Sequence, residues 1–196
     1  MITIKNLEKE LYLINKSKFY SFAYPVFEEG EVKRILDDIR GEYKDATHVC
    51  FAYILSAPRV EKASDDGEPT GTAGKPMLEL LKKKKLENIL LVIVRYFGGI
   101  KLGAGGLVRA YTNSGNLVLD KCQTIRVELV NKYLLKCDLS MGSKVSHTIS
   151  SLGGKIINAK YLDMAYFEYI GEIENQIKSM YNDIIVEKIG SETLCQ

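Results

Sequence analysis

The sequence predicts an α+β protein built from two domains, residues 1–123 and 127–196. Two observations support this division. Half of the sixteen glycines lie in residues 64–111, and the chain has no comparably glycine-dense segment from Thr124 onward. The elements expected after residue 127 follow the order β-α-β-β-α-β, the split βαβ arrangement of a ferredoxin-like domain. With 196 residues, 46% of them hydrophobic, the chain can build a substantial core.

The first domain is expected to open with a hairpin over residues 12–26, because β-rich runs flank Asn15 and Lys16. A helix is predicted over 28–43, where apolar residues recur at the i, i+3, i+4, i+7 spacing of a buried stripe. Residues 89–94 form an uninterrupted apolar run, which implies a strand buried on both faces. The remaining predicted elements are a strand over 47–56, a short helix from Pro76, the strand 88–97 that contains the apolar run, and a helix that starts near Gly105 or Gly106.

The second domain is expected to begin with a long strand over 127–139, and a helix over 143–152 should follow it. Gly153 and Gly154 are a typical helix stop. Strands over 155–162 and 166–173, a short helix over 174–181 and a final strand over 184–189 complete the pattern. The predicted core consists of Val145, Ile149, Leu152, Ile156, Ile177 and Ile185.

Composition narrows the possible functions. The formal net charge is only +2, so any nucleic-acid site must come from local clustering of basic residues. None of the four cysteines forms a Cys-x-x-Cys pair or matches a zinc spacing, and Cys50 and Cys137 are interpreted as core residues. No apolar run approaches the roughly 20 residues that span a bilayer, and the N-terminus has no signal-peptide pattern. We therefore expect a cytoplasmic protein without a membrane partner.

Two glycine-rich segments carry most of the candidate chemistry: residues 64–76, the first motif, and residues 95–111, the second motif. The second motif follows a strand and opens a helix, as phosphate cradles do, although neither the Rossmann nor the Walker A pattern fits. Free N–H groups at a helix N-terminus still favour an anion. The sequence leaves open a purely structural glycine loop. The candidate nucleic-acid or phosphate ligands are Lys75, Arg95, Lys101, Gly103, Gly105, Gly106 and Arg109.

Acidic residues in the first motif allow more than one interpretation. Asp65, Asp66 and Glu68 could hold Mg²⁺ through oxygen ligands, or they could organise a turn. They could also pair with Arg95 or Arg109 and hold the two motifs together. The residues that could lie beside such a site are His48, Thr70 and Thr72, and the aromatic residues that could stack on bases or fill the core are Tyr96, Phe97 and Tyr111.

The two motifs resemble the signature of the IMPACT family, in its bacterial YigZ-like branch. The first reads Ser-Asp-Asp-Gly-Glu-Pro-Thr-Gly-Thr-Ala-Gly-Lys-Pro, and the second contains Arg-Tyr-Phe-Gly-Gly-Ile-Lys-Leu-Gly-Ala-Gly-Gly. Ala46-Thr47-His48 also matches a family element. The resemblance covers essentially the whole chain. It implies a first domain like the ribosomal-protein-type domain IV of elongation factor G, and a second domain like domain V of that factor.

The resemblance also implies a function in translation. Eukaryotic relatives regulate translation initiation by interfering with activation of a kinase that phosphorylates an initiation factor. What it implies for this chain is association with structured RNA or the ribosome, with no cofactor and no catalytic residues that can be carried over. Two alternatives stay open: an enzyme acting on a small phosphorylated or nucleotide ligand through the acidic residues, and a protein-interaction module. In each case the two motifs are expected to converge on one surface.

Overall fold

The computed structural model describes residues 1–195 and divides into two compact units, one over Met1–Arg126 and one that starts at Val127. Within residues 1–195 the chain forms two antiparallel sheets and five α-helices, which confirms the α+β class. The strands of the first unit are β1 (Ile2–Ile4), β2 (Glu8–Ile14), β3 (Ser17–Pro25), β4 (His48–Ser56), β5 (Arg59–Ser64) and β6 (Ile89–Tyr96). Its helices are α1 (Glu29–Glu42), α2 (Gly74–Lys83) and α3 (Gly103–Leu119).

The main sheet of the first unit has the strand order β2-β3-β6-β4-β5, so β6 lies at its centre. Every residue of β6 from Ile89 to Arg95 is buried, as the apolar run predicts. Alternate side chains point to opposite faces: Ile89, Leu91 and Ile93 pack with α2 and α3, whereas Leu90, Val92 and Val94 pack with α1. Helices therefore cover both faces of this sheet.

Two strands of the first unit were not predicted. β5 has the polar sequence Arg-Val-Glu-Lys-Ala-Ser and lies at the sheet edge, where a strand needs little apolar character. β1 has only three residues, which pair with the start of the long strand β7 (Thr124–Cys137). The Thr3 hydroxyl donates to the carbonyl of Asn88 at 2.8 Å, and the Ile4 side chain is fully buried. The first strand of this unit therefore pairs with its last residues, 124–126.

The second unit contains the remainder of β7, α4 (Gly142–Ser151), β8 (Lys155–Tyr161), β9 (Ala165–Ile170), α5 (Glu174–Met180) and β10 (Ile185–Cys195). Its strand order is β8-β9-β7-β10, with every neighbouring pair antiparallel, and the element order is β-α-β-β-α-β. A 3-10 turn over Leu139–Met141 precedes α4. β10 is longer than expected because its polar end, from Gly190, continues to pair with β7.

The predicted core of the second unit is right except at one position. Val145, Ile149 and Ile177 are fully buried, and Leu152 and Ile156 pack against them. Ile185 is 51% exposed, however, and its neighbour Val186 takes the core position. Successive side chains of a strand point to opposite faces, so a register error of one residue exchanges the buried position for the exposed one.

Candidate functional site

Glu68 joins the two glycine-rich motifs inside the first unit. Its side chain is buried, and Oε1 accepts hydrogen bonds from Arg95 Nη1 at 2.6 Å and from the Tyr111 hydroxyl at 2.7 Å. His48 Nε2 lies 3.7 Å from the second carboxylate oxygen. Because Arg95 ends β6 and Tyr111 lies on α3, this single side chain ties the first motif to both ends of the second motif. The pairing of an acid with Arg95, one of the arrangements that the sequence left open, is present.

Asp65 closes the first motif on itself. Its carboxylate accepts hydrogen bonds from the backbone N–H groups of Gly71 at 2.8 Å, Ala73 at 2.9 Å and Gly74 at 2.8 Å. Burial favours a higher pKa for Asp65, but these three donors outweigh it and hold the pKa below its usual value. The arrangement is that of a residue which organises a loop, and it uses both carboxylate oxygens.

The other polar residues of the first motif also make internal contacts. Asp66 accepts a hydrogen bond from the backbone N–H of Val49 at 2.7 Å, and it lies 3.6 Å from Arg40. The Thr72 hydroxyl is buried and donates to the carbonyl of Pro69, whereas Thr70 is exposed. Within residues 1–191 no three His, Cys, Asp or Glu side chains are grouped as a metal site would require.

The structure corrects the predicted role of Arg95. The side chain is only 5% exposed, and its guanidinium group bonds to the Glu68 carboxylate. The guanidinium carbon also lies 5.4 Å from the centroid of the Phe19 ring and 5.5 Å from that of Phe97. A phosphate on the protein surface cannot reach this group. Sequence reasoning placed Arg95 in the phosphate site because it lies in a glycine-rich motif, but the pleat of β6 directs the side chain inward.

Tyr111 is likewise internal and cannot stack on a base. It is fully buried, packs edge-on against Phe19 with 5.2 Å between ring centroids, and burial raises its pKa. The thiol of Cys50 lies 3.3 Å from the Tyr111 hydroxyl, and burial raises the pKa of this thiol to about 12. Cys50 is therefore a protonated core residue, as predicted. Of the three aromatic residues considered for base stacking, Tyr96 is half-buried and Phe97 is exposed.

The second motif contains a close approach of two backbones and then an open helix end. A Cβ atom on Gly98 would lie 2.0 Å from the carbonyl carbon of Lys16, so only glycine fits there. α3 then begins at Gly103, two residues earlier than expected, with no side-chain cap and no acidic residue in its first turn. Gly103 and Gly105 are exposed and Gly106 is half-buried. The first N–H groups of this helix are therefore available to an anion.

Three exposed basic side chains lie at or near the starts of α2 and α3. They are Lys75 on α2, Lys101 before α3 and Arg109 on α3, and we call them the basic face. Among the side chains of residues 1–191, none of the three lies within 4 Å of a carboxylate, in contrast to Lys62, which pairs with Glu29. Both helices pack on the same side of the sheet. An unpaired cation retains its full attraction for an external anion.

A groove of about 740 Å³ lies between α2 and α3, with Lys75 in its wall. Sequence reasoning missed this groove, because it exists only once the two helices pack together. The polar and basic residues that line it beside Lys75 include Lys83, Lys84, Thr112 and Asn116. Lys84 pairs with Asp120 at 2.6 Å, which leaves Lys75 and Lys83 as the unpaired cations of the groove within residues 1–191. The spacing of Val108, Thr112 and Asn116 on one side of α3 was the available signal.

None of the helices in residues 1–195 is both long enough and apolar enough to cross a membrane.

The fold and the two motifs define a two-unit α+β protein. The family model of the Impact N-terminal domain matches residues 15–119, which lie in the first unit. Over 174 residues the chain is 36% identical to the IMPACT family member YvyE of Bacillus subtilis (strain 168). This alignment covers 88% of this chain and 80% of YvyE. It is 38% identical over 151 residues to the IMPACT family member YigZ of Escherichia coli (strain K12), with 76% and 74% covered. The chain belongs to the IMPACT family, so the resemblance seen in the two motifs is confirmed.

A solved structure supports the fold across both units. A crystal structure described as that of an hypothetical protein is similar to this chain with a TM-score of 0.75 and 30% sequence identity. The match covers 97% of this chain and 98% of the other. The arrangement of elements described above is therefore shared by a relative of nearly equal length.

Proposed function

We propose that this protein binds structured RNA, free or within the ribosome, and thereby modulates translation. The observation that carries the proposal is the basic face: Lys75, Lys101 and Arg109 are exposed and have no carboxylate partner within residues 1–191, and the last two lie beside a helix N-terminus that has no cap. RNA offers a chain of phosphates, and contacts with phosphates supply most of the affinity of non-specific binding.

The open end of α3 strengthens this proposal. A 17-residue helix places partial positive charge at its N-terminus, and neither an acidic side chain nor a cap opposes it there. Gly103 and Gly105 expose the backbone, so a phosphate can approach the N–H groups without a side chain in the way. Lys101 and Arg109 then add two full charges to the same end of the helix.

The connection to translation rests on the family resemblance. Domains like domains IV and V of elongation factor G would suit contact with the ribosome, and this likeness stays a prediction. The enzyme alternative has less support, because Asp65 and Glu68 are both engaged in internal hydrogen bonds. The protein-partner alternative predicts no binding to purified RNA.

The decisive experiment measures the affinity for a labelled RNA hairpin at several salt concentrations. The triple variant Lys75→Ala/Lys101→Ala/Arg109→Ala should bind more weakly, and the slope of log affinity against log salt should flatten by about two units. All three side chains are exposed, so the variant should keep its thermal stability. Co-sedimentation with ribosomes, followed by a salt wash, tests the same surface in a native complex.

Lys33→Ala is a matched control, since Lys33 is an exposed lysine on α1, which packs on the other face of the sheet. This control should bind RNA like the unmodified protein. If the triple variant melts normally and keeps both affinity and slope, the basic face is not the RNA site. If the unmodified protein binds no RNA and no ribosomes, the proposed function is wrong.

A further inference from the structure

Three tyrosines on the α1 side of the main sheet, together with Phe97, whose ring also contacts the Arg95 guanidinium, form a partly open surface near the β2-β3 edge. They are Tyr20 on β3, Tyr43 after α1, Tyr96 at the end of β6 and Phe97 beyond it, and we call them the aromatic face. Tyr20, Tyr43 and Tyr96 are half-buried, whereas Phe97 is 45% exposed. α1 packs on β3, β4 and β6, and the outward side chains of the edge strand β2 are exposed beside these rings.

Two adjoining hollows follow the aromatic face. The first, about 400 Å³, is lined by Lys16, Lys18, Asp45 and all four aromatic side chains. The second, about 300 Å³, shares Tyr20 and Tyr43 with the first and continues along β2 past Lys9 and Leu11. Together they make one elongated depression with rings on its floor and lysines on its rim.

The rings hold one another in place. The centroids of Tyr20 and Tyr43 are 5.8 Å apart at 38°, and those of Tyr20 and Tyr96 are 6.0 Å apart at 82°. The Tyr96 hydroxyl donates to the Asp45 carboxylate at 2.8 Å. Because the rings already pack against each other, a flat ligand would find a surface that needs little ordering.

The charges around these rings favour a polyanion over an apolar partner. Lys9, Lys16 and Lys18 are exposed, and within residues 1–191 none lies within 4 Å of a carboxylate. Lys9 pairs in register with Phe22, and Lys18 pairs with Tyr96, so both lysines leave the sheet on the side of the rings. Three carboxylates also lie beside the rings: Asp45 accepts a hydrogen bond from Tyr96, Glu10 in the second hollow pairs with Lys121, and Glu42 adjoins Tyr43.

We propose that the aromatic face binds a single-stranded segment of RNA, with bases stacked on Phe97, Tyr20 and Tyr43 and phosphates near Lys9, Lys16 and Lys18. Rings on a sheet surface stack on unpaired bases in this way, since every base has a flat face. The inference rests on the proposed function and adds a second surface, which reads unpaired nucleotides instead of a duplex.

The two surfaces are continuous along the chain. Phe97 is followed at once by Gly98, whose backbone lies against Lys16 and whose N–H donates to the Ser17 hydroxyl at 3.1 Å. The aromatic face therefore begins where the second motif turns toward the open end of α3.

The test compares two probes by fluorescence anisotropy: a labelled oligouridine of about eight nucleotides and a labelled RNA duplex. Phe97→Ala and Tyr20→Leu should each weaken binding of the oligouridine by about tenfold, since one stacked base contributes roughly that much. Binding of the duplex should not change, because its bases are not available for stacking. Leucine keeps the apolar packing of Tyr20, and a thermal melt checks the fold.

Phe51→Leu is the matched control, because Phe51 is a half-buried ring on the same sheet face that lines neither hollow. It should bind both probes normally. The aromatic-face proposal is overturned if the unmodified protein does not bind oligouridine, or if both ring variants bind it as well as the control does. It is also overturned if these variants lose a protein partner while their RNA affinity is unchanged. In each case, duplex binding that depends on Lys101 and Arg109 would leave the proposed function intact.

Discussion

The first motif is closed by its own side chains, whereas the second motif leaves its backbone open at the start of α3. In the first motif, the backbone N–H groups of Gly71, Ala73 and Gly74 are bonded to the Asp65 carboxylate, and Glu68 is buried. In the second, α3 starts without a cap, and Lys101 and Gly103 face solvent. Two glycine-rich segments thus differ in structure: the first is closed by internal hydrogen bonds, and the second exposes its backbone at a helix N-terminus.

The largest effect should come from breaking the buried ion pair between Glu68 of the first motif and Arg95 of the second motif. Glu68→Ala leaves the buried guanidinium of Arg95 without its counter-charge, which should lower the free energy of unfolding by about 3–5 kcal/mol. Urea denaturation followed by circular dichroism measures this loss. The double variant Glu68→Leu/Arg95→Met should recover part of it, because no charge is then left buried. A Glu68→Ala protein as stable as the unmodified one would mean that the first motif is not closed by this pair.

A smaller loss is expected from Asp65→Ala, which removes the acceptor of three backbone N–H groups and should cost about 1–3 kcal/mol. The effect depends on pH. The pKa of Asp65 is lowered in the folded protein, so its carboxylate stabilises the fold above the unfolded pKa of about 3.9, and this contribution is lost as the pH falls through the folded pKa.

Thermal melts between neutral and acidic pH should therefore show the unmodified protein and Asp65→Ala converging as the pH falls. A constant gap between the two curves would show that the Asp65 carboxylate is not the source of the difference.

A matched pair of glycine substitutions should have effects of opposite sign, and the gain in this pair is the smallest effect expected. A Cβ on Gly74 would lie 2.8 Å from the backbone of Ser64, so Gly74→Ala should destabilise the first unit by about 1–3 kcal/mol. A Cβ on Gly105 meets only the end of Arg109 at 3.7 Å, so Gly105→Ala should stabilise α3 by about 0.5–1 kcal/mol. Thermal melts of the two variants make this comparison directly. If both destabilise equally, the second motif is as tightly packed as the first.

Some of this architecture could be predicted from local sequence. The apolar run of β6 and the spacing of α1 both report burial directly, and the structure places them within one or two residues of the expected bounds. β5 could not be found in this way, because its Arg-Val-Glu-Lys-Ala-Ser sequence has one strongly apolar residue and forms a strand only by pairing with β4. The local sequence pattern indicates which residues are buried, but it does not show which strand pairs with an edge strand such as β5.

The site was harder to predict than the fold for a related reason. The sequence alone does not show which of Asp65, Asp66 and Glu68 pairs with a basic residue. The register of β6 decides that Arg95 points toward Glu68. The aromatic face brings together residues from three separate elements, such as Tyr20 and Tyr43, which no spacing rule connects. The sequence located the two motifs, and the packing of strands and helices decided which of their charges reach solvent.

The short strand β1 has a consequence for how the protein is made. Ile2–Ile4 leave the ribosome before the rest of the first unit, yet their pairing partners, Thr124–Arg126, are synthesised more than a hundred residues later. Ile4 belongs to the core that α2 and α3 cover, and the strand that carries it gains its pairing partner only once the nascent chain has extended past Arg126. Contacts between such distant residues are slow to form, and vectorial synthesis delays this one further. The first unit therefore completes its fold only as the second begins to emerge from the exit tunnel.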